Sequence, residues 1–162
     1  MTDEKFIRKC IKLAEISKQK GDNPFGALIT KGNKVLTESG NTRNIDNDVT
    51  NHAEILVMRQ AQKLLGTDDL SECTIYSNCE PCPMCSFMIR ELKIKKVVFG
   101  IYSPLMGGYS KWNILQDPHL EKLEPYFGST PEVKGGVLEK EAEKLFKEKK
   151  EFLVELFPEH FK

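Results

Sequence analysis

Two short strings 30 positions apart constrain this chain more than anything else in it: His52-Ala53-Glu54 and Pro81-Cys82-Pro83-Met84-Cys85. One histidine and two cysteines fill three of the four tetrahedral positions around a zinc ion. The fourth is left to water, the plan of an open site rather than a closed structural one. A fold that uses these ligands has to bring residue 52 beside residues 82 and 85. The local pattern says how. His52 lies where a polar loop gives way to a helical period, and Cys82 and Cys85 flank the first turn of a helix that Pro83 opens. The unpaired N–H groups and positive end of that helix favour thiolates. Glu54 is a poor fourth ligand and a good proton carrier.

The 162 residues suffice for one domain with a full core, read here as spanning 1–162. Lys+Arg and Asp+Glu both number 24, so no basic excess advertises nucleic acid, although a local patch is compatible with this balance. The cysteines are Cys10, Cys73, Cys79, Cys82 and Cys85. An odd count with three of them crowded together does not read as a disulfide framework. The charged start lacks the apolar stretch of a leader, and no run approaches a membrane span. These features predict a reducing cytoplasm.

Apolar spacing predicts a helix over Phe6–Lys20, broken by Gly21-Asp22-Asn23-Pro24. A hairpin follows, from Phe25–Thr30 through a turn at 31–34 to Val35–Gly40. Residues 41–51 read as loop and Ala53–Leu65 as helix. Thr74–Ser77 is strand, Pro83–Leu92 helix and Lys96–Ile101 strand. Glu132–Leu138 is a weaker strand. Leu138–Phe157 is a charged helix burying Leu145, Phe146, Phe152, Leu153 and Leu156. Strands alternating with helices after an opening hairpin predict a three-layer α/β/α sandwich around a mixed sheet.

Several residues carry two readings. Cys79, three before Cys82, is a fourth ligand of a closed site or a small residue at a strand end. Cys10 and Cys73 read as packing cysteines. Glu80, beside two thiolates, has to face solvent, complement the helix end or accept backbone N–H groups. Trp112 is the only tryptophan. It closes a pocket over a ring or anchors its loop to the core. His119 and His160 read as exposed and not ligands. A non-enzymatic, zinc-stabilised scaffold is the reading in which Glu54 is dispensable.

At these residues the chain resembles the cytidine deaminase superfamily, in its branch of purine and cytosine base deaminases and tRNA adenosine deaminases. Their signature is H-x-E…P-C-x-x-C. The likeness covers Phe6 to Ile101 and includes Asn23-Pro24-Phe25-Gly26-Ala27, Asn41, His52-Ala53-Glu54-Ile55 and Ser77 to Cys85. It implies a five-stranded sheet between helices, Zn²⁺ held by His52, Cys82 and Cys85, and Glu54 as proton shuttle. Glu54 would take a proton from the attacking water, pass it to a ring nitrogen and then to the departing amine, releasing ammonia. Asn41 would bind the base and Phe25 lie against its ring, with Ala53 and Trp112 completing the candidate substrate contacts. Members are usually dimers or larger, so a homodimer is expected. The Pro24-Phe25-Gly26-Ala27 string looks most like guanine deaminases, which puts a free base first: guanine, then cytosine or an amino-triazine. A tRNA wobble adenosine is the alternative. Leu105 to Trp112 departs from the familiar tRNA-deaminase pattern.

Overall fold

The computed structural model describes residues 2–147, 155 and 158–161. Helix α1 spans Asp3–Gln19 and begins three residues before the apolar stripe does. Asp3 and Glu4 explain the extension, because carboxylates complement the positive end of a helix. The chain then turns at Gly21, whose φ of 84° suits a residue without a β-carbon. Strands β1 (Gly26–Lys31) and β2 (Lys34–Gly40) form the predicted hairpin, with Gly32 taking the left-handed position between them. Helix α2 occupies Ala53–Leu65 and closes on left-handed Gly66.

Strand β3 runs Cys73–Cys79, longer at both ends than its apolar centre suggested, and every residue in it is buried. Helix α3 (Pro83–Glu91) and strand β4 (Lys96–Ile101) follow. The sheet order is β2-β1-β3-β4-β5, with β1 antiparallel to both neighbours and β3, β4 and β5 parallel. The last strand, β5, covers only Glu132–Lys134 rather than running on to Leu138. It stops where Gly136 and Leu138 both turn to positive φ, just after Gly135, where the Phe99 ring comes too close for any β-carbon.

Side chains alternate across the sheet. Leu28, Tyr76 and Val98 face α1, where Phe6, Ile7, Cys10 and Ile11 meet them. Ala27, Ile29, Ile75, Val97 and Phe99 face α2 and α3. Helices on both faces make the expected three layers. Cys10 and Cys73 each fill one of these cores. The predicted C-terminal helix is shorter in its described part: α4 covers Glu139–Glu143 and tightens into a 3-10 turn over Lys144–Phe146. Leu145 and Phe146 are half-buried, whereas Phe152, Leu153 and Leu156 lie outside the described residues. No helix among those described is long and apolar enough to cross a membrane.

Candidate metal centre

Two helix starts meet at the C-terminal end of β3. His52 is the N-cap residue of α2 and Cys82 that of α3, both extended in backbone and neither capping with its side chain. Their side chains are thereby free to converge. His52 Nδ1 stands 3.5 Å from Cys82 Sγ and 3.6 Å from Cys85 Sγ, and the two sulfurs are 3.6 Å apart. A tetrahedral zinc bonded at its usual lengths sets sulfurs about 3.8 Å apart and sulfur from nitrogen about 3.5 Å. The three donors therefore already have the spacing that zinc imposes. Among the described residues these are the ligand atoms that converge within 4.8 Å. Cys79 is outside the set, a buried strand end, so the closed four-ligand reading loses its candidate.

Charge at the site follows from this packing. Hydrogen bonding from Cys85 holds the Cys82 thiol down to about 4, against the burial that raises it; His52 and the Cys85 backbone N–H act in the same downward sense. Cys85 moves the opposite way because it hydrogen-bonds to Cys82 and is buried. The pair thus shares one proton, which a divalent cation would displace. The hydrogen bond with Cys82, opposed by burial, raises the His52 imidazole.

Glu54 is buried, in the first turn of α2. The Ser77 hydroxyl donates to its Oε1 at 2.9 Å, and its Oε2 stands 3.7 Å from Cys85 Sγ. Burial, reinforced by the negative Cys82, lifts its carboxyl above the ordinary value, while its own backbone N–H, His52 and Ser77 pull it down. A carboxyl so raised is suited to hold a proton in transit.

The other expected site residues are gathered unevenly. Ala53 is buried between His52 and Glu54. Phe25 is half-buried, 5.5 Å from the Phe146 ring between centroids. Its backbone is fixed by Asn78, which accepts from Gly26 N–H at 2.8 Å and donates to the Pro24 carbonyl at 3.0 Å. Asn41 is 1% exposed, no surface turn residue. Its N–H donates to the Phe25 carbonyl, and the next residue, Thr42, donates to Asn51 beside His52. Trp112 is 57% exposed, so it does not anchor its loop; Lys111 Nζ lies 5.9 Å from its ring centroid. His119 is exposed and pairs with Asp117, and the His160 side chain lies outside the description.

Of the roles open to Glu80, the structure shows acceptance of backbone N–H groups, and Arg90 and Asn78, which the pattern did not single out, also hold the surroundings together. Glu80 is buried and accepts N–H groups from Ser103, Tyr109 and Ser110, plus the Ser110 hydroxyl. Arg90 is buried and donates to the carbonyls of Ile114, Leu115, Asp117 and Gly128. Its signal was present: Cys85, Ser86, Ile89 and Arg90 form one buried helical stripe. Asn78 lies past the strand expected at Thr74–Ser77, and only the longer β3 puts it inside a wholly buried strand. Asp22 read only as a helix breaker.

Fold and donors together fit a zinc ion held by three protein ligands among the described residues. Residues 1–101 match the family described as Cytidine and deoxycytidylate deaminase zinc-binding region, and the chain belongs to that family of zinc-binding deaminases. It is 37% identical to the tRNA-specific adenosine deaminase of Bacillus subtilis (strain 168) over 141 residues, 86% of this chain and 83% of that protein. It is 38% identical to the guanine deaminase of the same organism over 101 residues, 62% of this chain and 65% of that protein. A solved structure from a study of A-to-I editing by tRNA:A34 deaminases superposes with a TM-score of 0.78 at 28% identity. That match covers 86% of this chain and 97% of the other.

Proposed function

We propose that the chain hydrolytically deaminates an adenosine presented in a tRNA loop, giving inosine and ammonia. The carrying observation is the breadth of the likeness: the tRNA-specific relative matches 86% of the chain, the guanine deaminase 62%. The exposed Lys111–Trp112 pair supports it, since an open indole stacks a base and the neighbouring ammonium meets a phosphate. With no net charge, phosphate contacts fall to such local lysines.

In this reading His52, Cys82 and Cys85 would hold zinc, which would supply the nucleophile by acidifying a water. Glu54 does the proton work. Ser77 occupies Oε1, so Oε2 is the oxygen on the Cys85 side that takes the proton and gives it up again. Asn41, Phe25, Ala53 and Trp112 form the substrate contacts. The proposal includes a single domain over 1–162, working as a homodimer in a cytoplasm where five unpaired cysteines stay reduced.

A second reading, deamination of free guanine or a related amino-heterocycle, is favoured by Pro24-Phe25-Gly26-Ala27 and by the aromatic wall that Phe25 makes with Phe146. One assay separates the two. Zinc-loaded protein is offered an anticodon stem-loop, guanine, cytosine, adenine and amino-triazines, and inosine and ammonia are measured. Inosine in the RNA with no ammonia from free bases is the expected result. Ammonia from a free base alone reverses the order, and silence from all restores the scaffold. Glu54→Gln should keep one zinc per chain and slow turnover by ~100- to 10,000-fold. Unchanged turnover in that variant removes Glu54 from the mechanism.

A further inference from the structure

Asp22 has no place in the chemistry above, yet it is one of the most heavily hydrogen-bonded side chains in the molecule. It is buried between α1 and β1. Its Oδ2 accepts the backbone N–H groups of Asn44 and Ile45, both at 2.9 Å. Its Oδ1 accepts Asn23 N–H and the Asn41 side-chain amide, both at 2.7 Å. A carboxylate surrounded by donors only accepts, so Asn41 has to turn its Nδ2 toward it. The reversed amide would set oxygen against oxygen at the same distance. Asn41 Oδ1 is consequently directed elsewhere, and it is a buried acceptor with no protein partner among the described residues. Buried polar atoms are rarely left so unless something else meets them. Reversing the Asn41 amide to relieve it would give up the 2.7 Å bond to Asp22, while Phe25 and Ser17 fix the backbone from which the side chain projects.

We propose that Asp22 is a positioning residue that fixes the polarity of the Asn41 amide, so that the site presents a hydrogen-bond acceptor to an N–H or O–H donor of the substrate. This rests on the reading that Asn41 contacts the substrate, and it adds which atom does so and what sets it. Asp22→Asn tests it sharply. Two backbone N–H groups face the Oδ2 side and one the Oδ1 side, so the new amide oxygen belongs on the former and its NH₂ faces Asn41. Asn41 then has to reverse and offer a donor where it offered an acceptor. The double variant Asp22→Asn/Asn41→Asp restores the polarity at position 41 and leaves only the Asn23 N–H without its acceptor. The amide introduced at position 22 donates to the carboxylate introduced at position 41, whose second oxygen is again an acceptor.

On the zinc-loaded full chain with the stem-loop or base that the wild type turns over, Asp22→Asn should raise KM about 10- to 100-fold, with a smaller fall in kcat and zinc still one per chain. That range corresponds to leaving a buried polar group unpaired. Asn41→Asp alone should be worse, because two carboxylates meet, and the double variant should recover KM to within about tenfold of wild type. A stem-loop with a 2′-deoxy target nucleotide separates the donor's source: the Asp22→Asn effect persists if the donor is on the base and vanishes if it is the ribose hydroxyl. Independently of turnover, ¹⁵N spectra should show one Asn41 amide proton strongly downfield in the wild type and not in Asp22→Asn. Wild-type KM in Asp22→Asn, or a double variant no better than Asn41→Asp, overturns the proposal. A wild type silent on every probe removes the functional reading and the substrate half of this one, while the spectra still decide how the amide is held.

Discussion

The metal end of the molecule and the irregular stretch after β4 are ordered in opposite ways. At the metal end, regular elements do the work: two helix starts and one strand end aim His52, Cys82, Cys85 and Glu54 with almost no loop between. Between β4 and β5 there is only one short 3-10 turn in about 30 residues, far from what usually orders a connection of that length. Beyond its local turn hydrogen bonds, its backbone is tied to the rest of the molecule by two buried side chains of opposite charge. Glu80 gathers N–H groups from the first part and Arg90 gathers carbonyls from the second. Both ions flank the same unit, Glu80 two residues before Cys82 and Arg90 in the last turn of α3. The helix that supplies the cysteines therefore also sets where Tyr109 to Trp112 stand, and in the proposed function that places the aromatic loop relative to the metal.

Breaking the Arg90 clamp should give the largest effect on folding. Arg90→Met keeps the apolar stem and removes the donors, leaving the carbonyls of Ile114 and Asp117 without their 2.9 Å partners. The expected loss is about 2–4 kcal/mol in urea unfolding, with zinc content unchanged. If zinc is lost along with stability, the two regions are not ordered separately and the contrast fails.

A smaller effect is expected at Gly107. A β-carbon there would stand 2.3 Å from Glu80 Oε1, inside a carboxylate that already holds four hydrogen bonds and has little room to move. Gly107→Ala should cost about 1–3 kcal/mol, and amides of residues 103–110 should exchange faster with solvent while those of β3 do not. Equal acceleration in β3 would mean that Glu80 supports the cysteine helix as much as the loop.

The same contrast explains what was legible in the sequence. The bounds of α2 and β4 follow from apolar period and chain punctuation, and the metal ligands from residue type and spacing, because each of these depends on near neighbours. Glu80 and Arg90 act on partners 23 to 38 residues away along a stretch without periodicity, and Asp22 on one 19 residues away. Such pairings arise only once the sheet has brought the segments together. Gly135 is similar: it reads as an ordinary glycine, and only the Phe99 ring against it shows why no side chain fits there.

The smallest expected effect extends the comparison to the loop at 41–51, which Asp22 orders as Glu80 orders its own. Burial raises the Asp22 carboxyl, but the N–H of Ile45, the Asn41 amide and the N–H groups of Asn23 and Asn44 together outweigh it, so the folded value lies below the ordinary one. A depressed folded pKa contributes stability that is full above the unfolded value, about 3.9, and is lost as pH falls through the folded value. The stability gap between wild type and Asp22→Asn should therefore be constant from pH 7 to about 5 and close progressively below about 4. Measuring the difference matters, because protonation of His52 and the thiolates releases metal from both proteins alike and cancels. A gap that closes near neutral pH instead would show that the carboxylate is not held ionised by its donors, and the loop would then need another source of order.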